Sequence, residues 1–256
     1  MFPIRDDNPQ VNTPYACYTI IALNALAWFL LQGAGFGEQL NASVCDYGLI
    51  PADLFANDSF QQNESFCPPQ QSLGWGGVLS SMFMHGSWMH ILGNMWFLWV
   101  FGDNVEDSMG TARFAIFYVL SGFAAAAAQV WADPSSAVPM VGASGAIGGV
   151  MGAYIMLYPR VKVHMIFILV ILIIPFRVPA IAMLGYWILV QVVGGISSMG
   201  STGGGVAFWA HVGGFAAGAA LIWVFKDEEL LLKHPFHGWK QAEDPANVWE
   251  DPRNQQ

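Results

Sequence analysis

A serine and a histidine stand at the starts of two apolar segments in the second half of the chain. Ser144 lies in the run Gly-Ala-Ser-Gly that opens one segment, and His211 lies in Ala-His-Val-Gly-Gly, which opens another. Polar side chains at membrane depth are costly and are usually turned inward and kept for function. A serine hydroxyl is a weak nucleophile until an imidazole acts as its base. The pair therefore indicates acyl-transfer chemistry, with Ser144 as nucleophile and His211 as general base.

A second polar pair lies earlier in the chain. His90 and Asn94 are four positions apart and so share one face of a helix. Both side chains can donate hydrogen bonds, as a developing oxyanion requires. The backbone N–H of Ser144, free at a helix N-terminus, would be a third donor. The apolar segments contain no carboxylate to orient His211, which predicts a dyad rather than a triad.

The segments that carry these residues are predicted to span a membrane. The chain has 256 residues, of which 55% are hydrophobic and 11% charged, and this excludes an ordinary soluble domain. Six segments are long and apolar enough to cross, or nearly so: 15–34, 88–102, 112–132, 143–158, 178–199 and 206–226. Two of them, 88–102 and 143–158, rise only about 24 Å, less than the roughly 30 Å of a bilayer core. Their shortness predicts local thinning, or water entering from one side.

Composition also excludes several partners and cofactors. The net charge is −9 and no basic patch is present, so no nucleic-acid partner is expected. Three cysteines are too few for a cysteine-rich metal module. We expect no metal and no cofactor.

The apolar stretch 161–176 is a candidate seventh span. Ser144 and His211 must meet, and each stands at the N-terminal end of its segment. The two segments therefore run in parallel, and an odd number of crossings separates them. If 178–199 crosses, 161–176 does not, and it is predicted to be a β-branched hairpin, either interfacial or re-entrant.

Charge fixes the orientation of the six-span model. All nine basic residues fall on one side: Arg5, Arg113, Arg160, Lys162, Arg177, Lys226, Lys233, Lys240 and Arg253. The opposite connections, 35–87, 133–142 and 200–205, hold none. This asymmetry predicts a cytoplasmic N-tail (1–14) and C-tail (227–256), with the bacterial plasma (inner) membrane as the expected location.

Small residues offer the close helix contact that the Ser–His pair requires. The fourth segment has overlapping Gly-xxx-Gly spacings and the sixth has one more, at Gly145, Gly148, Gly149, Gly152, Gly214 and Gly218. Glycines at this spacing let two membrane helices approach closely. We expect this packing to bring the serine hydroxyl and the imidazole within hydrogen-bonding distance.

Together these motifs resemble those of the rhomboid intramembrane serine proteases. They are His90-xxx-Asn94, Gly142-x-Ser144-Gly145 and Ala210-His211-xx-Gly214-xxx-Gly218, on the second, fourth and sixth predicted spans. The resemblance covers residues 15–226. It implies an all-α polytopic membrane protein, a six-transmembrane-helix bundle with a long external loop 1 at 35–87.

The resemblance also implies a chemistry. By it, Ser144 and His211 form the dyad in a water-filled cavity open to the outside, and His90 and Asn94 line the oxyanion hole. The substrates would be membrane-anchored proteins cut in or near a transmembrane segment. The chain departs from the family pattern at two places. Gly148 stands where an aromatic residue often packs on the histidine, and the Trp-Arg pair of the first external loop is echoed only by Trp75.

Other functions fit parts of this pattern. Alone, Ser144 would be a helix-packing serine and His211 a partner for a carbonyl or a proton relay. A transporter or channel would need polar groups from one face to the other, whereas these cluster in the outer half. A catalytically inactive rhomboid-like protein that binds membrane clients is the remaining alternative, and the intact pair argues against it. His85, just before the second segment, lies either at the active-site mouth or at the interface.

The segments outside the spans carry further expectations. Loop 35–87 is too polar to fold around a core of its own, and Cys45 and Cys67 lie in it on the oxidising side. We predict a disulfide between them that orders the loop near the cavity mouth. Cys17 is predicted to be a packing residue in the first span. The C-tail 227–256, rich in Pro, Asp and Glu, is predicted to be largely disordered.

Overall fold

The computed structural model describes residues 2–55, 67, 72–169, 172–199, 205–234 and 236. Its helices are α1 (Tyr15–Leu30), α2 (Gly37–Tyr47), α3 (Pro51–Leu54), α4 (Gly77–Ser80), α5 (Trp88–Asp107), α6 (Thr111–Ala132), α7 (Ser144–Leu157), α8 (Ala180–Ser198), α9 (Phe208–Phe225) and α10 (Glu228–Leu231). Its strands are β1 (Phe2–Asp6), β2 (Lys162–Leu169) and β3 (Leu172–Pro179). Short 3-10 turns lie at Gly33–Gly35, Gly74–Gly76 and Ser81–Phe83.

One α-helix covers most or all of each of the six apolar segments. Within the described residues, three helices are long and apolar enough to cross a membrane, namely α6, α8 and α9. Helices α1 and α7 are apolar but shorter. The chain is thus a mostly helical protein with three candidate membrane-spanning helices in its described part, and the count of six spans stays a prediction.

The second helix is longer than predicted. The sequence predicts a short span at 88–102. In the structure, α5 has 20 residues and continues through the carboxylates of Glu106 and Asp107. The reason is that these carboxylates are hydrogen-bonded. Glu106 accepts from the backbone N–H groups of Ala16 and Cys17, both at 2.9 Å, in the first turn of α1. Asp107 accepts two more from the chain just before α1. The acids therefore satisfy free donors at a helix N-terminus.

Helix α7 lies at the centre of the bundle and packs against α5, α6 and α9. Its contact with α9 is as close as the glycine spacing predicts. A Cβ placed on Gly214 would lie 2.0 Å from the carbonyl oxygen of Gly145, and one on Gly152 would lie 2.1 Å from that of Phe215. Only glycine fits at these positions, so the backbones of α7 and α9 touch.

The expectation of an all-α protein is wrong in one part. Strands β1, β2 and β3 form an antiparallel sheet in that order. The hairpin predicted for 161–176 is confirmed and extends to Pro179. The N-tail 1–14, however, supplies β1, whose Phe2 stands opposite Ile166 and whose Asp6 stands opposite Val163. The partner strand lies far along the chain, so no local pattern in the tail predicts this pairing.

Loop 35–87 is more ordered than predicted. It contains α2, α3 and α4, and the predicted disulfide between Cys45 and Cys67 is present. The two cysteines are buried with Ile50 and Ala52 in a small apolar cluster, so the expectation that the loop has no core of its own is wrong. The rest of the loop, residues 56–66 and 68–71, lies outside the described residues. Cys17 is buried in the main core with a free thiol, as expected of a packing residue.

The start of the C-tail is also ordered. Helix α10 follows α9 after two residues, and Leu231 and His234 are buried. Asp227 connects this segment to the bundle, because its N–H donates to the carbonyl oxygen of Ser108 at 2.8 Å and its carboxylate pairs with Arg113 at 3.3 Å. The prediction of disorder is therefore wrong for this part, while 237–256 lies outside the described residues.

Candidate active site

Ser144 and His211 lie in hydrogen-bonding contact. Ser144 is the first residue of α7 and His211 lies in the first turn of α9, so the parallel packing of the two helices aligns the side chains. The Oγ atom of Ser144 is 2.7 Å from Nε2 of His211. Both residues are half-buried. This is the arrangement in which an imidazole takes the proton of an attacking hydroxyl.

The other ring nitrogen of His211 contacts a residue outside the set of sequence-predicted site residues. Nδ1 of His211 is 2.7 Å from Oε1 of Gln191, on α8. One turn earlier on the same helix, the ring of Trp187 lies against the imidazole, with 5.7 Å between centroids. Trp187 thus packs on the histidine from α8, while Gly148 on α7 leaves room for the α9 backbone, since a Cβ there would lie 3.1 Å from the carbonyl oxygen of His211.

A signal for Gln191 is present in the sequence. It is the only amide or charged residue in segment 178–199. Placing an amide inside the membrane costs free energy unless the amide is hydrogen-bonded. A second amide missing from the predicted set is Gln129 of α6, whose Oε1 accepts from the backbone N–H of Ala210 at 3.2 Å. This bond caps the start of α9 directly before the histidine.

His90 and Asn94 face the backbone of Gly142, two residues before the serine. Gly142 has a φ of +124°, in the region that favours glycine. A Cβ there would lie 2.6 Å from Nε2 of His90 and 3.5 Å from Nδ2 of Asn94. The loop is held in place by the N–H of Gly142, which donates to the carbonyl oxygen of Ser81 at 2.9 Å.

Both of these side chains present a donor on the Gly142 side. Nδ1 of His90 accepts from the N–H of Gly86 at 3.3 Å, so the proton of the neutral ring belongs on Nε2, the atom that faces Gly142. Asn94 is only 8% exposed, and among the described residues its Nδ2 has no hydrogen-bond partner. A buried donor left without a partner is rare and calls for an explanation. An oxyanion bound at this place would supply one.

A small cavity adjoins the serine. It has a volume of about 20 Å³ and is lined by Ser144, Gly142 and mostly small residues, including Gly122, Ala125, Gly145 and Ala210. A volume of this size accommodates a water molecule. The site therefore has room for the water that a hydrolysis consumes, directly beside the candidate nucleophile.

His85 is buried inside the protein and does not line an open cavity mouth. It is 0% exposed, and its ring meets that of His90 edge-on at 5.0 Å between centroids. Burial, and then the neighbouring His90, lowers the pKa of His85 to about 3, so its ring is neutral. The side chain of Gln32 holds the backbone of His85 through two hydrogen bonds of 2.8 Å. The ring of His85 thus packs against the ring of His90, one of the candidate oxyanion donors.

The fold and the site define a helical membrane protein with a Ser–His pair at one end of its bundle. A family model described as the rhomboid domain matches residues 73–228, more than half of the chain. The chain belongs to the rhomboid family. This family includes intramembrane serine proteases and consists of integral membrane proteins.

Known relatives agree with this membership. The chain is 28% identical to Rhomboid-related protein 2 of Mus musculus, over 84% of this chain and 66% of that protein. It is 29% identical to the mitochondrial Rhomboid protein 1 of Saccharomyces cerevisiae, over 57% of this chain and 40% of that one. It is 31% identical to the rhomboid protease GluP of Bacillus subtilis, over 56% of this chain and 25% of that one. The chain thus spans less than half of the yeast and bacterial relatives.

Proposed function

We propose that this protein is a serine endopeptidase that hydrolyses peptide bonds in or near the transmembrane segments of membrane-anchored proteins. The observation that carries the proposal is the 2.7 Å contact between Oγ of Ser144 and Nε2 of His211. A serine with such a base can attack a peptide carbonyl, and the base can return the proton to the leaving amine. The family membership of the chain supports the same reaction.

The chemistry proceeds through an acyl-enzyme. Oγ of Ser144 attacks the scissile carbonyl while Nε2 of His211 takes the hydroxyl proton. The oxyanion that forms is stabilised by the side chains of His90 and Asn94 and by the free N–H of Ser144 at the start of α7. Collapse of this intermediate releases the amine, which takes the proton from His211. A water, deprotonated by the same imidazole, then attacks the ester. The imidazole returns this proton to Oγ of Ser144 as the carboxylic acid product leaves.

The depth of the site fits a substrate anchored in the bilayer. Helix α7 has 14 residues and is about 21 Å long, shorter than the roughly 30 Å of a hydrocarbon core. A helix this short, with Ser144 as its first residue, supports a nucleophile that lies below the membrane surface while water reaches it from one side. Lipid-embedded segments of other proteins would then meet the dyad laterally.

Helix direction and charge support an orientation. The dyad lies at the N-terminal ends of α7 and α9. Arg113, near the start of α6, and Lys226, just after the end of α9, both lie at the other end of the bundle. Basic residues favour the cytoplasmic side. We therefore propose six spans, cytoplasmic termini and a site that opens away from the cytoplasm, in the plasma (inner) membrane of a bacterium.

Reconstitution tests the proposal. Purified protein in liposomes is mixed with a panel of single-span reporter proteins, and products are identified by mass spectrometry. We expect cleavage in or next to the reporter's transmembrane segment by the natural protein and none by Ser144→Ala or His211→Ala. Binding of reporters without cleavage by the natural protein would instead support the inactive client-binding alternative.

A further inference from the structure

We propose that Gln191 is a positioning residue for the base, a third member that holds the imidazole of His211 in the one tautomer able to activate Ser144. This rests on the proposed function, and it adds to the dyad a neutral amide where a triad has a carboxylate. The observation behind it is the 2.7 Å contact between Oε1 of Gln191 and Nδ1 of His211.

The orientation of the amide follows from its second contact. Its Nε2 donates to the carbonyl oxygen of Trp187 at 3.4 Å, one turn earlier on α8. A carbonyl oxygen can only accept, so the NH₂ group belongs on that side. Oε1 is then the atom that faces the histidine, and it too can only accept.

The tautomer of the histidine follows in turn. Because Oε1 of Gln191 accepts, Nδ1 of His211 must carry the ring proton. Nε2 then has a free lone pair directed at Oγ of Ser144, 2.7 Å away. This is the acceptor that a general base needs. Without Gln191, the proton is free to move to Nε2, where it blocks the reaction.

Two features hold the amide of Gln191 in place beside the imidazole of His211. Gln191 is 7% exposed, so water does not compete for its acceptor. Its helix is pressed against α9 through Gly195, where a Cβ would lie 3.0 Å from the ring of Trp209. The same helix also supplies Trp187, which packs on the imidazole. Thus α8 fixes both the plane of the ring and its protonation.

Three substitutions separate this role from a packing role. Gln191→Leu removes the acceptor, and Gln191→Glu keeps it and adds a charge. Val193→Leu, on the exposed side of α8, is the matched control. We expect kcat to fall by at least about tenfold in Gln191→Leu with KM little changed. Gln191→Glu should recover most of that loss above neutral pH, and Val193→Leu should match the natural protein.

The pH dependence of kcat/KM is a second measurement, and it would not change if Gln191 served only to pack the helices. The base must be neutral, so activity falls as pH drops. A carboxylate beside the ring favours the protonated imidazole, and the acidic limb of kcat/KM in Gln191→Glu should shift upward by about one to two pH units. An unshifted limb, or equal losses in Gln191→Leu and Gln191→Glu, would overturn the proposal.

A measurement independent of catalysis keeps this test separate from that of the protease function. In protein labelled with ¹⁵N-histidine, the His211 signals are those missing from His211→Ala. We expect a protonated Nδ1 and an unprotonated Nε2 in the natural protein, and a tautomer mixture in folded Gln191→Leu. The same single tautomer in both would contradict the role of Gln191, even if the natural protein cleaved no substrate.

Discussion

Gly218 of α9 lies on the backbone of Gly149 of α7, so closely that a Cβ on Gly218 would be 1.9 Å from the carbonyl oxygen of Gly149. No side chain fits there without moving the backbone. The dyad lies at the start of the same two helices, because Ser144 opens α7 and His211 lies in the first turn of α9. The spacing of the helices therefore sets the distance between Oγ of Ser144 and Nε2 of His211.

This contact predicts the effect of one added methyl group. Gly218→Ala should force α7 and α9 apart and lower the free energy of unfolding by about 1–3 kcal/mol. Gly185→Ala is the matched control, since a Cβ on that α8 residue meets nothing within 4 Å. It should change stability little, or raise it slightly because alanine favours helix. Thermal unfolding in detergent measures both, and equal midpoints would contradict the tight interface.

The candidate oxyanion donors predict a graded loss of activity. Asn94→Ala should lower kcat by about 10²–10³ while leaving measurable turnover, because one of several donors is lost. Asn24→Ala is the control, since that buried amide of α1 donates to the carbonyl oxygen of Ile20 at 2.8 Å and has no place in the proposed oxyanion hole. It should affect stability more than kcat. Full turnover by Asn94→Ala would show that this helix face is only structural.

A half-buried acid at the end of the N-terminal strand predicts a pH dependence of stability. Burial is the main cause that raises the pKa of Asp6 from 3.8 to about 7. Its carboxylate accepts hydrogen bonds from the hydroxyl of Tyr154 and the N–H of Asn8. The folded state therefore binds more protons than the unfolded state between these two pKa values. The contribution of Asp6 to the free energy of unfolding therefore falls as pH rises from about 4 to about 7.

Asp6→Asn tests the direction of this pH dependence, because asparagine resembles the protonated acid. We expect the variant to unfold at a higher temperature than the natural protein at about pH 8, and the difference to shrink towards zero at about pH 4. Melting curves across this range in one detergent give the answer. A difference that stays constant with pH would show that the charge on Asp6 is not responsible.

The proposed orientation predicts which positions are reachable from outside the cell. A cysteine at Ser135, exposed in the connection between α6 and α7, should react with an impermeant thiol reagent added to intact cells. A cysteine at Glu229, exposed in α10, should react only after permeabilisation. The background is low, because Cys17 is buried and the other two cysteines form a disulfide. The reverse labelling pattern would contradict the orientation drawn from the basic residues.

The parts of the molecule that can be predicted from sequence are those with a local signal. Ser144, His211 and Asn94 are polar residues in apolar segments, and the cost of placing them there is by itself an indication of function. The glycine spacing likewise predicts the contact of α7 and α9. The hairpin is predicted by the parity of the spans together with β-branched residues.

The parts that cannot be predicted in this way depend on partners far along the chain. Strand β1 forms only because β2, some 160 residues later, offers it an edge. Glu106 has the sequence pattern of a residue beyond the end of a span, yet its carboxylate caps α1. Gln191 is visible as an amide in an apolar segment, but nothing in the sequence says that its side chain points at His211. Tertiary contacts decide each of these.

The most direct test of the central claim is whether Ser144 is a reactive nucleophile. The purified protein is treated with a fluorophosphonate probe, and the modified residue is identified by mass spectrometry. We predict one adduct, on Ser144, that is absent from Ser144→Ala and strongly reduced in His211→Ala, since the base activates the hydroxyl. A natural protein that folds but takes up no probe, or a Ser144→Ala protein that reacts equally well, would contradict the assignment of this chain as a serine protease.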